Sequence, residues 1–266
     1  MRNALSFPCG DAVLAATLDA APGASGLLIV SGGNEIRCGA HRGMAMLAAR
    51  IAAAGYPVLR FDRRGIGDSE GENGGFESSR DDIVAALAAF RAACPEMKQV
   101  VAFGNCDAAS ALLLHHPLDV DALVLANPWT IEDAGQSSAA LPPTSAIRAR
   151  YWQRLKDPAS LGRLLRGELD LAKLGRGIAA LAPHAAPSAS KLGQRVVAAI
   201  AAAPVPITIL LATGDRTAQT FAELWRNEPP PAGVRVAKLD STSHSFAGDD
   251  GDWLAAQLLD VLSKQT

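Results

Sequence analysis

The chain has 266 residues, of which 49% are hydrophobic and 20% are charged, with a formal net charge of −2 at pH 7. This composition indicates a globular protein and excludes a disordered chain. The near-neutral charge and the scattered Lys and Arg residues exclude a nucleic-acid partner or an anionic membrane surface as an expected ligand. The cysteines have no CxxC spacing, so we predict free thiols rather than a metal site at Cys9, Cys38, Cys94 and Cys106.

The N-terminal segment carries one Arg and has no apolar core, so it does not resemble a signal peptide. The longest apolar runs are too short to cross a bilayer, which predicts no integral membrane segment. We therefore expect a cytoplasmic protein. No motif in the chain predicts a metal ion or a cofactor, and the oligomeric state stays open.

Strand and helix patterns alternate along the first half of the chain, which is typical of a mostly parallel sheet covered on both faces. The predicted helices cover residues 41–54, 81–93 and 107–115. The strands at 5–8 and 12–18 are expected to pair antiparallel. The remaining predicted strands in this half cover residues 27–30, 58–61, 100–103 and 122–126.

The alternation breaks from about residue 130 to residue 204, where helical stretches rich in Ala, Leu and Arg are separated by Pro and Gly. Core strands flank this segment and it has no linker of its own, so we predict a helical cap inserted into a single domain of residues 1–266. Tyr151 and Trp152, among its few aromatic residues, are expected to line a substrate pocket. After the cap we predict strands at 207–211 and 234–239 and helices at 218–225 and 253–262, which completes an eight-stranded sheet.

A candidate nucleophile lies in the segment Gly104 to Ala108, between a predicted strand and a predicted helix. The pattern is typical of a nucleophile elbow in which Cys106 replaces the usual serine. Such a turn needs small residues two positions before and after the nucleophile, and Gly104 and Ala108 meet that need. The helix start would also favour a thiolate. The alternative is a buried core thiol, since this short pattern also arises by chance.

Two further residues follow in the order expected for the acid and the base of a triad. Asp215 lies beyond the end of the strand at 207–211, and His244 lies just beyond the strand at 234–239. Open α/β sheets build their sites at these carboxyl ends, so we predict a Cys106–Asp215–His244 triad. Asp240 is a rival acid, although it would have to fold back onto its own loop.

An oxyanion hole needs two backbone N–H groups directed at the substrate carbonyl oxygen. We expect one from Asp107, directly after the nucleophile, and one from Gly33 or Asn34 in the loop after strand 27–30. The alternative is a simple Gly-Gly turn. A second Gly-rich loop covers residues 62–71, and it lacks the Gly-Lys-Ser/Thr ending of a phosphate-binding loop. We expect Asp62 and Arg63 to tie this loop to its neighbours by charge-assisted hydrogen bonds.

Together these motifs resemble the α/β-hydrolase superfamily, in its order and over nearly the whole chain. More narrowly, the elbow through Ser110 and the segment Arg150 to Leu155 are similar to the exosortase A system-associated hydrolases of the first type. Members of that family are encoded beside bacterial exopolysaccharide and protein-sorting machinery. The resemblance implies an α/β-hydrolase fold with an inserted cap. The cysteine departs from most of the superfamily, which makes efficient hydrolysis of ordinary esters doubtful.

The chemistry expected from these residues is acyl transfer. A thiolate would attack a small acylated substrate, an ester, thioester or lactone, and a thioacyl-enzyme would follow. A second hypothesis is a binding protein, with little or no catalysis, that holds a lipid or glycan intermediate. A third is a subunit recruited to a membrane complex through the Arg-rich stretch at 148–166.

Overall fold

The computed structural model describes residues 1–132, 190–225 and 230–265. Within them the strands are β1 Arg2–Cys9, β2 Ala12–Asp19, β3 Ser25–Val30, β4 Val58–Phe61, β5 Gln99–Asn105, β6 Ala122–Ala126, β7 Ile207–Ala212 and β8 Val234–Leu239. The α-helices of the same ranges are α1 Gly43–Ala53, α2 Arg80–Ala93, α3 Asp107–Leu114, α4 Lys191–Ala202, α5 Arg216–Leu224 and α6 Asp250–Lys264. Short 3-10 turns cover Ala40–Arg42 and Phe76–Ser78.

The eight strands form one sheet in the order β1-β2-β4-β3-β5-β6-β7-β8. β2 pairs antiparallel with β1 and with β4, and the other neighbours pair in parallel. The predicted eight-stranded, mostly parallel sheet flanked by helices is therefore confirmed. All parallel strands point their carboxyl ends to one edge, which is where ligand sites form in such sheets.

Helices cover both faces of the sheet, which explains why the central strands are mostly apolar. β3, β4, β6 and β7 are buried at every position. One hydrophobic cluster packs α2, α3, α4 and α5 against one face, and a second packs α1 and α6 against the other. This packing fixes the strand ends that carry the candidate site.

The structure differs from several predicted boundaries by two or three residues, and two helix starts have a clear physical reason. The first helix begins at Gly43 rather than at residue 41, because His41 and Arg42 have left-handed φ angles of 52° and 61°. The last helix begins at Asp250 rather than at residue 253. Its first turn contains Asp250 and Asp252, and acidic side chains stabilise the positive end of a helix. The sequence prediction began at the first apolar residue and missed this turn.

Most of the predicted cap, including Tyr151 and Trp152, lies outside the described residues, so the cap and its pocket stay predictions. The carboxyl-terminal part of the predicted segment contains α4, which packs into the core cluster with α3 and buries Leu192, Val196 and Ile200. In the part of the chain that the structure describes, no helix has the length and hydrophobicity needed to cross a membrane.

A buried charge cluster fixes the loop after β4 against the loop after β3. The carboxylate of Asp62 is fully buried and accepts hydrogen bonds from the guanidinium and backbone N–H of Arg37 and, at 3.1 Å, from the N–H of Asp68. Arg63 donates to the carbonyl oxygen of Gly33. The predicted role of Asp62 and Arg63 as ties between loops is confirmed. The hydrogen bond from Arg63 holds the Gly32–Gly33 turn at the carboxyl ends of the parallel strands.

Candidate active site

Cys106 lies on the turn between β5 and α3, with φ 60° and ψ −125°. A non-glycine residue with positive φ is strained and persists only where its surroundings fix it. Here the N–H of Cys106 donates to the carbonyl oxygen of Ala126 at 3.0 Å, and its own carbonyl accepts from the N–H of Trp129 at 3.1 Å. The segment after β6 therefore holds the elbow in place.

The turn is possible because the residues around it are small. A Cβ atom on Gly104 would lie 2.7 Å from the carbonyl carbon of Ala108 and 2.8 Å from its oxygen, so a larger residue would separate β5 from α3. Ala108 is itself fully buried. The spacing that identified the elbow in the sequence thus has a direct steric cause.

Asp215 and His244 come together beside this turn. Nδ1 of His244 lies 3.1 Å from Oδ1 of Asp215. Asp215 is only 9% exposed. The other carboxylate oxygen of Asp215 accepts from the N–H of Ala218 at 3.0 Å and so caps α5. The rival Asp240 is exposed and accepts from the hydroxyl of Thr213 at 3.5 Å. The structure therefore brings Asp215, rather than Asp240, to the imidazole.

The surroundings of Asp215 keep its carboxylate ionised. Burial raises the pKa of Asp215, but the hydrogen bonds from His244 and from the Ala218 N–H outweigh burial, and the net effect is a lowered pKa. The same carboxylate therefore supplies a fixed negative charge to the imidazole and a cap to α5. An Asp directly before a helix was a sequence signal for this capping role.

The hydrogen bond to Asp215 is the main cause that raises the pKa of His244 to about 10. A hydrogen bond to Cys106 raises it further, while burial acts in the opposite direction. The imidazole is consequently protonated, and positively charged, at neutral pH. A protonated imidazole at this position can donate a proton to a leaving group.

The predicted oxyanion loop meets the elbow, but its amide is already in use. The N–H of Gly33, which has φ 55°, donates to Oδ1 of Asp107 at 2.6 Å. A Cβ atom on Gly32 would lie 2.7 Å from the same oxygen. Asn34 follows in the loop, and its side-chain oxygen accepts from Asn73 at 2.9 Å. The carboxylate of Asp107 therefore occupies a donor that was expected to serve the substrate.

Two amide side chains at this edge were not expected from the sequence. Asn105 and Asn127 both donate to the backbone carbonyl oxygen of His244, at 3.0 Å and 3.1 Å. The only sequence signal for the role of Asn127 was its position directly after the apolar run of β6.

Across residues 1–132, 190–225 and 230–265, no three His, Cys, Asp or Glu side chains are grouped so as to hold a metal ion.

Comparisons with known proteins agree with this architecture. A family model described as the alpha/beta hydrolase family matches residues 27–257. No curated protein is significantly similar to the chain in sequence.

Among solved structures, an esterase from Pyrococcus furiosus is similar over 99% of this chain and 92% of its own, with 14% identity and a TM-score of 0.66. An alpha/beta hydrolase from Sphaerobacter thermophilus is 20% identical over 96% and 99% of the two chains, with a TM-score of 0.57. A proline iminopeptidase from Mycobacterium smegmatis is 17% identical over 98% of both chains, with a TM-score of 0.59. Because the sequence identities are this low, the structural similarity is evidence for the fold alone.

Proposed function

The chain belongs to the alpha/beta hydrolase family, and we propose that it is an acyl-transferring hydrolase with Cys106 as nucleophile, His244 as base and Asp215 as acid. The observation that carries the proposal is the 3.1 Å contact between Nδ1 of His244 and Oδ1 of Asp215, with an imidazole whose pKa is raised by Asp215 first and by Cys106 second. The position of all three residues at the carboxyl edge of the sheet also supports it.

In the first half of the reaction, the sulfur of Cys106, whose proton His244 holds, attacks the carbonyl carbon of an ester, thioester or lactone. The C–S bond forms and the carbonyl electron pair moves to oxygen, which accepts a hydrogen bond from the backbone amide proposed for this role, that of Asp107. When the tetrahedral intermediate collapses, the bond to the leaving group breaks. The departing oxygen or sulfur takes the proton of His244, which the raised pKa keeps available at neutral pH.

In the second half, the now neutral His244 takes a proton from water or from an acceptor alcohol. The resulting oxygen nucleophile attacks the thioacyl carbon, the C–S bond breaks, and Cys106 leaves as a thiolate beside the regenerated imidazolium. Because the thioacyl group is itself activated, it can pass to water or to an alcohol. This supports small acylated substrates and a thioesterase, lactone hydrolase or acyltransferase activity.

We propose that the chain, within its family, is similar to the exosortase A system-associated hydrolases of the first type and has a role linked to bacterial exopolysaccharide. The support is the cysteine elbow from Gly104 to Ser110 and the stretch from Arg150 to Leu155. Tyr151 and Trp152 of that region are proposed to line the acyl pocket.

Alkylation of Cys106 by iodoacetamide tests the proposal through its pH dependence. The raised pKa means that His244 holds its proton at neutral pH and loses it only as the pH rises through about 10. We expect wild type to alkylate about tenfold faster than His244→Gln at about pH 7, because an interaction between the attacking sulfur and a charged imidazole is worth roughly that factor. The difference should shrink toward one above about pH 10.

Peptide mapping assigns the alkylated thiol in this experiment. Burial raises the pKa of the Cys9 and Cys94 thiols, so these two serve as slow internal references. Equal rates for wild type and His244→Gln at neutral pH would show that the imidazole does not activate Cys106.

The contact between Asp107 and Gly33 favours the second candidate function, a binding protein with little or no catalysis, because it fills an oxyanion donor with a carboxylate. If the chain is instead an acyl-transfer enzyme, Asp107→Ala should free that donor. We expect kcat/KM for a small activated ester to rise about tenfold, the worth of one hydrogen bond to a charged group. Asp107→Asn, which keeps an acceptor oxygen without charge, should lie between the two.

A fall in kcat/KM on Asp107→Ala would instead show that the carboxylate holds the Gly32–Gly33 turn in its working conformation. No activity in any of the three proteins would favour the binding function. Steady-state hydrolysis of a nitrophenyl ester separates these outcomes.

A further inference from the structure

A single buried amide connects the three strand ends of the candidate site. Asn127 directly follows β6, is fully buried and has a φ of 42°, a left-handed conformation that Asn tolerates better than most residues. Its backbone N–H donates to the carbonyl oxygen of Leu210 in β7 at 2.9 Å. A buried side-chain amide is costly unless its donors and its acceptor find partners.

Both polar atoms of the Asn127 side chain have hydrogen-bond partners at the carboxyl ends of the strands. Its Oδ1 accepts from the N–H of Ala212, the last residue of β7, at 3.0 Å. Its Nδ2 donates to the carbonyl oxygen of His244 at 3.1 Å and to Oδ1 of Asn105 at 3.3 Å. Asn105, in turn, donates to the same His244 carbonyl at 3.0 Å. The network thus links the ends of β5, β6 and β7 to the loop after β8 that carries His244.

These bonds act on the loop that follows β8 and carries His244. β8, which leads into this loop, is the edge strand of the sheet and has no fully buried residue. The side chain of His244 is 41% exposed. Two amide donors on its backbone carbonyl therefore hold the base directly, in addition to the packing of the buried Phe246 two residues later. A shift of about 1 Å in a catalytic group can cost about a hundredfold in rate.

We infer that Asn127, together with Asn105, is a positioning residue that holds the backbone of His244 so that its imidazole meets both Cys106 and Asp215. Asn127 acts through His244 and touches no reacting atom. The inference rests on the proposed function, in which His244 is the base. It adds a residue from the end of β6, a strand that contributes no member of the triad.

Replacing Asn127 by Asp tests the inference with an almost isosteric change. An ionised carboxylate keeps the acceptor for Ala212 but turns an oxygen toward the carbonyl of His244 and Oδ1 of Asn105, which are both acceptors. A protonated carboxyl group can donate one hydrogen bond there and restore part of the network. The introduced carboxyl is buried among acceptors, so its pKa should lie above the usual value of about 3.9.

The measured quantity is the ratio of kcat for Asn127→Asp to kcat for wild type at each pH. We expect this ratio to fall at least about tenfold between about pH 5 and about pH 8, as the new carboxyl ionises and the network loses its donors. KM should change much less. The titratable groups at the neighbouring strand ends are Cys106, Asp107, Asp215 and His244, and their own ionisation largely cancels in the ratio.

Two further variants keep the test decisive. Asn3→Asp makes the same change at an exposed position of β1, at the opposite edge of the sheet, and its ratio should be independent of pH. Asn105→Asp removes one donor from His244 while keeping the acceptor for Asn127, so its effect should be in the same direction but smaller. It remains informative if the melting temperature shows that Asn127→Asp fails to fold.

The outcomes separate this inference from the proposed function. A pH-independent ratio for both Asn127→Asp and Asn105→Asp, in folded proteins with active wild type, would overturn the positioning role alone. An inactive wild type whose Cys106 also fails to take up an acyl group would overturn the proposed function itself. A falling ratio for the two site variants, with a flat one for Asn3→Asp, supports the inference.

Discussion

Replacing Cys106 by Ala is expected to lower kcat for an activated thioester by about ten-thousandfold or more, the scale of loss when a triad nucleophile is removed. The variant keeps the elbow, because Ala is as small as Cys at this strained turn, but it has no atom that can form the acyl-enzyme. Steady-state release of the thiol product measures the effect.

Two variants serve as controls for this loss. Cys106→Ser places a hydroxyl where the thiol was and should retain partial activity. Cys94→Ala removes a thiol at the end of α2, away from the site, and should change kcat less than about twofold, as a substitution outside the site does. If Cys106→Ala turned over the thioester like wild type, the nucleophile assignment would be wrong.

Asp215→Asn is expected to lower kcat by about a thousandfold to ten-thousandfold, because the amide no longer stabilises the imidazolium of His244 or fixes its tautomer. The amide oxygen can still accept from the N–H of Ala218, so the cap of α5 and the melting temperature should largely be preserved. Circular dichroism on heating checks the fold, and ester hydrolysis checks the activity.

Asp240→Asn is the matched control, since it makes the same change at the rival acid. Asp240 is exposed and contacts Thr213 rather than His244, so we expect an effect of less than about twofold. The reverse pattern, with Asp240→Asn inactive and Asp215→Asn active, would transfer the acid role to Asp240.

Much of the fold follows from local patterns in the sequence. β6 is a continuous apolar run, and β3 and β7 are apolar apart from Ser25 and Thr208, because helices cover both of their faces; such runs can be recognised without a structure. The elbow is equally local, because Gly104 and Ala108 must both be small to let β5 approach α3. Asp215 was placed by its position after an apolar strand.

The contacts that decide the chemistry are not local. Gly33 and Asp107 are 74 residues apart, and Asn127 and His244 are 117 residues apart. No periodicity or spacing encodes which amide meets which carboxylate or carbonyl across such distances. The left-handed conformations of His41 and Arg42 likewise leave no spacing or periodicity in the sequence, and the predicted start of that helix was therefore wrong.

The most direct test of the account is the covalent intermediate on Cys106. The protein is mixed with an activated acyl thioester, quenched in acid within a turnover, digested and examined by mass spectrometry. We expect one acyl group on the peptide that carries Cys106, less of it in His244→Ala, and none in Cys106→Ala. Acylation of Cys9, Cys38 or Cys94 with Cys106 unmodified would contradict the account.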